Sequence, residues 1–257
     1  MLFRSVRDFD DLAQRGPATL GSHGLKQNHV ATVYIDGNSV GQHIERASSS
    51  DRIGLSSRLK EATTAALNAA TEAVHERLPT GPLAVIPHVV GGDDVLVSVP
   101  AFMWRPFVAT FLKVFGTSAD PVSASAGIVI AHLAYPFNRA VEVADDLLSK
   151  AKAAVDGKQS SLAVIELTSE AAQPTRARVW TETDLARLSA SIKILSDTGK
   201  SARHELARAA AAPERLVARN LLRRQCARMG IGLDAELTAD PALVADLLDL
   251  VKWWWPT

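Results

Sequence analysis

The chain has 257 residues, enough for one large domain or two modest ones, and its 28 basic residues balance its 28 acidic ones. Overall charge therefore points to no class of partner. A single cysteine, Cys226, excludes an intrachain disulfide and a cysteine-built zinc site and suggests a reducing, cytoplasmic setting. No apolar run reaches the length of a membrane span, and the N-terminus lacks a signal-peptide core.

In chain order, residues 1–29 are polar and broken by Gly16-Pro17, Gly21 and Gly24, and read as an N-terminal arm. Val30–Ile35 is β-branched and apolar, a buried central strand ending in the turn signal Asp36-Gly37-Asn38. A polar connector leads to a long helix, about 55–78, with Leu59, Ala62, Ala66, Leu67, Ala70 and Val74 at helical spacing. Two apolar runs, 83–90 and 95–99, flank Gly91-Gly-Asp-Asp94 and read as a β-hairpin. A helix over 101–115, a strand over 122–132, a helix over 136–155 and a strand over 161–167 follow.

The order β-α-β-β-α-β-α-β predicts an α+β fold, a ferredoxin-like βαββαβ core whose largely antiparallel sheet carries helices on one face. Residues 30–170 form this domain. Polar 169–175 marks a boundary, and 175–257 is expected to be all-helical, with helices at 181–195, 201–229 and 241–253.

The hairpin tip carries the chemistry. Asp93 and Asp94 are adjacent, so without a cation each carboxyl would be raised by the other. A metal-binding tip and an ordinary solvated turn both fit these four residues. If the first strand lies beside the hairpin, Asp36 faces the tip, and the Gly37 carbonyl becomes available to a hard cation. Gly37 and Gly41 leave room for a phosphate chain to reach backbone amides. Elsewhere, 200–228 holds eight basic residues against Glu205 and Glu214, a candidate phosphate or nucleic-acid surface or simply a solvated face. The terminal Trp253-Trp-Trp255 is either a partner anchor or a tail folded onto its own helices.

Taken together, Asp36-Gly-Asn, Gly91-Gly-Asp-Asp94, Ser125-Ala-Gly-Ile-Val-Ile-Ala-His132, Tyr135-Pro136 and a helix with Ala144-Asp145, Leu148, Ala151-Lys152 and Gly157-Lys158 occur in one order. This resembles the cyclase-like palm of the large polymerase subunit of type III CRISPR effector complexes and of minimal CRISPR polymerases. It is more distantly similar to GGDEF diguanylate cyclases. The resemblance covers about 30–168, and the C-terminal helices look like the helical domain after the second palm.

The resemblance implies a nucleotidyltransferase that joins ATP, or another nucleoside triphosphate, into a cyclic di- or oligonucleotide messenger in antiviral defence, releasing pyrophosphate. Asp36, Asp93, Asp94 and the Gly37 carbonyl would hold two Mg²⁺ or Mn²⁺ ions. Gly37, Asn38, Ser39, Gly41, Gly91, Gly92 and Ser125 would line the nucleotide site, with Lys152 or Lys158 on the triphosphate. Two nucleotides require a homodimer or a second pocket. Asn38 stands where the family often has an acid, and there is no nuclease dipeptide, no cysteine cluster and only one palm. The competing expectation is a degenerate palm serving as a nucleotide- or RNA-binding subunit of a ribonucleoprotein. An RNA or protein partner would then meet the Arg-rich helices and the Trp tail.

Overall fold

A computed structural model describes residues 8–15, 28–167 and 177–253, excepting the side chains at 49 and 50. The chain divides into two compact units at Glu182/Thr183.

The first unit is built on a six-stranded sheet of order β2-β3-β1-β4-β5-β6. Its strands are β1 (His29–Gly37), β2 (Ile86–Gly91), β3 (Asp94–Pro100), β4 (Ala124–His132), β5 (Ser161–Glu166) and β6 (Val179–Thr181). β1 lies antiparallel between β3 and β4, which gives the expected ferredoxin-like core. β5 joins β4 in parallel through a crossover helix, and β6 closes the edge antiparallel. The segment 168–176 lies outside the described residues. The division falls after β6 rather than at 169–175, because Val179–Thr181 pairs with Ser161–Ala163.

Among the described residues, six helices or helical pieces precede β6: α1 (Phe9–Gln14), α2 (Val40–Arg46), α3 (Ser49–Arg77), a short 3-10 turn (Ala101–Met103), α4 (Trp104–Ser118) and α5 (Phe137–Ala154). The predicted apolar stripe of α3 is buried at Leu59, Ala62, Ala66, Ala70 and Val74, while Leu67 is only half-buried. α3 packs against α4, whose Phe107, Phe111 and Phe115 stack at i, i+4 spacing with centroids 6.4 and 6.0 Å apart. Small residues on α3 opposite large ones on α4 let the two helices approach closely.

These two helices form the expected layer, and α5 adds a second one. Ala140, Ala144, Leu147 and Ala151 of α5 pack with Val129, Ala131 and Ala163, and Tyr34 borders that cluster. Ile128 and Ile130 point the other way along β4 and are equally buried. The central strands are therefore covered on both faces.

The described part of the N-terminal arm is docked rather than free. Phe9 packs on Phe137 (5.2 Å) and His88 (5.8 Å), and Arg15 donates to the carbonyls of Thr80 and, at 2.9 Å, Pro82. His88 is also bonded to buried Ser98 at 2.8 Å, so it belongs to this packing.

The second unit is helical as expected, but its helices are shorter: α6 (Glu182–Arg187), α7 (Ser189–Asp197), α8 (Lys200–Ala210), α9 (Arg215–Met229), α10 (Ala235–Thr238) and α11 (Pro241–Lys252). The single helix expected over 201–229 is broken at 211–214, where Pro213 has no N–H to donate. α9 ends on Gly230 at φ +66°, with Ile231 N–H reaching the Cys226 carbonyl at 2.9 Å. Cys226 is buried, as is Trp253; the rest of the Trp tail lies outside the described residues. Among the described residues, no helix is long and apolar enough to cross a membrane.

Candidate functional site

The site forms where β1 ends beside the tip of the β2–β3 hairpin. Gly91 pairs with Asp94, leaving Gly92 and Asp93 as the two turn residues, with Gly92 at φ +62° in the first position. A two-residue hairpin loop with a positive φ there needs glycine, because its twist must match the strands. The β1–β3 ladder runs to Ile35↔Val95, so its next step sets Asp36 across from Asp94. Asp93 closes on the same point from the turn. A Cβ on Gly37 would stand 2.7 Å from Asp93 Oδ2 and 2.6 Å from Val40 Cγ2, so only glycine lets the turn come this near β1.

Three carboxylates thus meet, and their electrostatics show the strain. Burial is the first cause raising Asp93 and Asp94; both also hydrogen-bond Asp36 and feel its charge. Asp94 is pushed up to about 7, with Asp93 adding to the repulsion. Lys152 is the cation that pulls both back down. Its ammonium donates to the Asp36 carboxylate and, at 2.9 Å, to the Gly37 carbonyl.

The donor set is chemically right for a hard divalent ion: three carboxylates and a backbone carbonyl, too acidic together for one lysine to neutralise. It is an open site. Among the described residues, no three His, Cys, Asp or Glu side chains are grouped as a metal cage. An ion bound here would complete its shell with water or phosphate oxygens, as Mg²⁺ commonly does.

Other expected residues are placed differently. Ser125 faces Asp36 across the β1–β4 ladder, yet it is fully buried. Ser161 Oγ donates to the Ala151 carbonyl at 2.9 Å, so the 2.9 Å contact between the two hydroxyls has Ser125 as donor. Its proton is spent in the core, and Ser125 supports the α5 turn that carries Lys152 instead of lining a pocket. Lys158 pairs with Asp156 at 2.7 Å on the surface, both side chains largely exposed. It lies on the loop beside Asn38, but the structure does not bring it to the carboxylates. His132 stands at the opposite end of β4 from Ser125, ~23 Å away at strand rise. There it contacts Asn28 and lies edge-on to His29.

Gly41, Gly91 and Gly92 all face open space, with nothing within 4 Å of an added Cβ. Ser39, at φ +54°, holds the N-cap position of α2 without a side-chain capping bond. Its hydroxyl would lie 2.4 Å from a Cβ on Gly157, which takes φ +63°. These glycines keep the rim of the carboxylate cluster uncluttered.

Asn38 has a structural task. It is 1% exposed, its backbone N–H reaches Ser123 O at 2.7 Å, and its Nδ2 donates to Ser123 Oγ (2.8 Å) and Gln159 O (2.9 Å). The side chain latches the segments before β4 and β5 onto the end of β1. An aspartate could donate neither side-chain bond and would place its charge against the Gln159 carbonyl. Asn38→Asp should destabilise the protein by about 2–4 kcal/mol in urea unfolding at neutral pH, with partial recovery in acid as the new carboxyl protonates.

Tyr34 escaped the sequence reading. It shares a face with Asp36 two residues on, and its phenol is raised by burial, then by Asp94, Asp145 and Asp36. Asp145 of α5 thereby acts on the Tyr34 phenol. Strand alternation alone was the available signal for Tyr34.

A β2-β3-β1-β4 antiparallel sheet with acids gathered at the β1 end and the adjoining hairpin turn defines a palm domain. The model of the Cas10/Cmr2 second palm domain matches residues 29–162, and the chain belongs to that family. Among solved structures, it resembles Csm1 from T. onnurineus at 13% identity and TM-score 0.68, covering 98% of this chain and 41% of that one. A Csm1–Csm4 cassette in complex with cA4 matches at 13% identity and TM-score 0.56 over 97% of this chain and 38% of that one. A Csm1–Csm4 cassette in complex with one ATP matches at 14% identity and TM-score 0.54, over 98% and 39%. At these identities the likeness speaks for the fold, and the chain spans about two fifths of the proteins it matches. Comparison with curated proteins gave no match.

Proposed function

We propose that this palm is a metal-dependent nucleotidyltransferase that converts ATP, or another nucleoside triphosphate, into a cyclic di- or oligonucleotide with release of pyrophosphate, acting in the cytoplasm as a CRISPR-type signalling enzyme. The observation that carries the reading is the meeting of Asp36, Asp93 and Asp94 at one open point, with Lys152 as the cation among the described residues that lies against them. Two Mg²⁺ or Mn²⁺ ions held by these carboxylates and the Gly37 carbonyl would activate the attacking hydroxyl and stabilise the leaving pyrophosphate. The chain's own contribution is positioning. Gly37 at the end of β1 and Ser39 and Gly41 at the start of α2 would turn backbone amides to the phosphates, and Gly91 and Gly92 keep side chains away from them. Binding of cA4 and of ATP by structural relatives agrees with this substrate class. Joining two nucleotides requires a second nucleotide site, from a homodimer or another pocket.

A second reading rests on α9. From Arg215 to Leu233 there are five arginines and no acid. Arg223, Arg224 and Arg228 are exposed alongside Leu216 and Val217. Such a face suits an RNA or an acidic protein partner, and the palm would then bind nucleotide without turnover.

One experiment separates the two. The purified chain is incubated with each labelled triphosphate and Mn²⁺, and the products are identified by mass. A cyclic product with stoichiometric pyrophosphate is expected. No product from any triphosphate, together with RNA binding that weakens steeply with salt, would replace the first reading with the second.

A further inference from the structure

Lys152 was expected on a triphosphate, yet its ammonium lies on the Asp36 carboxylate and the Gly37 carbonyl. Those are the oxygens that the proposed function gives to a metal. Both side chains of the pair are only about a quarter exposed, 26% and 27%, so water screens the contact weakly. A monovalent and a divalent cation on the same oxygens repel one another and compete for the same lone pairs.

The anchorage of α5 bears on this. Ala151 is fully buried, and its carbonyl receives Ser161, which is tied in turn to Ser125. The helix is fixed while the four-carbon stem of Lys152 can turn about it. Lysine suits such a part, being a compact charge on a flexible chain without the fixed fork of arginine.

We infer that Lys152 is a displaceable internal cation. It holds Asp36 and Gly37 O until a divalent ion takes those oxygens, and the expelled ammonium is then free to meet the triphosphate. The inference rests on the reading of Asp36 and Gly37 as metal-holding. It gives a sign opposite to that of an ordinary site residue, because removing Lys152 should improve metal binding.

The test is Mn²⁺ titration of the full chain without nucleotide, following free Mn²⁺ by electron paramagnetic resonance. Lys152→Met keeps the length of the stem and should bind Mn²⁺ about 10-fold more tightly, an ordinary size for coupling between sites. The gain should persist in 1 M salt, where the screening length is about 3 Å. Lys158→Met, which removes an exposed charge nearby, should change affinity less than about 2-fold and lose that change in salt.

If wild type binds Mn²⁺ and Lys152→Met binds it equally or more weakly, the inference fails while the metal reading stands. If neither protein binds Mn²⁺, both fail. Should Lys152→Met be unfolded alone, Mn²⁺ should restore a cooperative melting transition; no restoration would overturn the inference.

Discussion

Asparagine at both positions 93 and 94 should abolish nucleotide product, lowering the rate at least about 10³-fold, while making the metal-free protein more stable at pH 8. The two effects have one cause. Burial and the neighbouring carboxylates raise Asp93, and carry Asp94 to about 7. The folded state then holds protons that the unfolded chain has already released. Stability from Asp94 is present below its ordinary value near 4, falls as pH rises through the window from about 4 to 7, and is lost above it. An amide stays neutral throughout, so the Asn variant escapes this loss.

The difference should reach about 1–2 kcal/mol by pH 8, a figure kept small because the site is open to solvent. Urea unfolding of both proteins at pH 5 and pH 8 in chelator measures it. Mn²⁺ should restore wild-type stability at pH 8, since bound carboxylates remain ionised, and leave the Asn variant unmoved. Equal pH dependence in the two proteins would mean that the three acids do not share one point.

The part of this site that was legible in the sequence is the part set by short-range pattern. A β-branched run ending in Asp-Gly-Asn fixes where β1 stops, and Gly91-Gly-Asp-Asp94 between apolar runs fixes the hairpin tip. Once β1 lies beside β3, Asp36 must meet the tip. What was not legible depends on partners far apart in the chain. β6 is only three residues long, and its strand character comes from pairing with β5. α2 buries no residue, so it leaves no apolar stripe to detect. Ser125 has the same identity whether it lines a pocket or bonds Ser161; only the burial decides, and it decides for the core. Asn38 reads from sequence as a lost acid, whereas its two donated bonds make it a latch. The side on which α5 lies follows from the crossover between parallel strands, a feature that helical periodicity does not carry.

That crossover makes Gly127 the described glycine where an added methyl group should cost most. A Cβ there would stand 1.9 Å from the Ala144 carbonyl oxygen and 2.6 Å from the Leu148 nitrogen. These two atoms are the acceptor and donor of one turn of α5, so the methyl would be driven into a helical hydrogen bond with no side chain able to turn aside. Gly127→Ala should therefore lower stability by at least about 3 kcal/mol, the upper end of overpacking. The denaturant midpoint should fall with little change in slope. Gly41→Ala is the contrast: its added methyl meets open space on a helix, and it should stabilise the protein by about 0.5–1 kcal/mol. Because Lys152 lies one turn beyond Leu148, any relief found by lifting α5 off β4 also draws the ammonium from Asp36. A Gly127→Ala protein as stable as wild type would show that α5 does not lie this close to β4, and the position of Lys152 would fall with it.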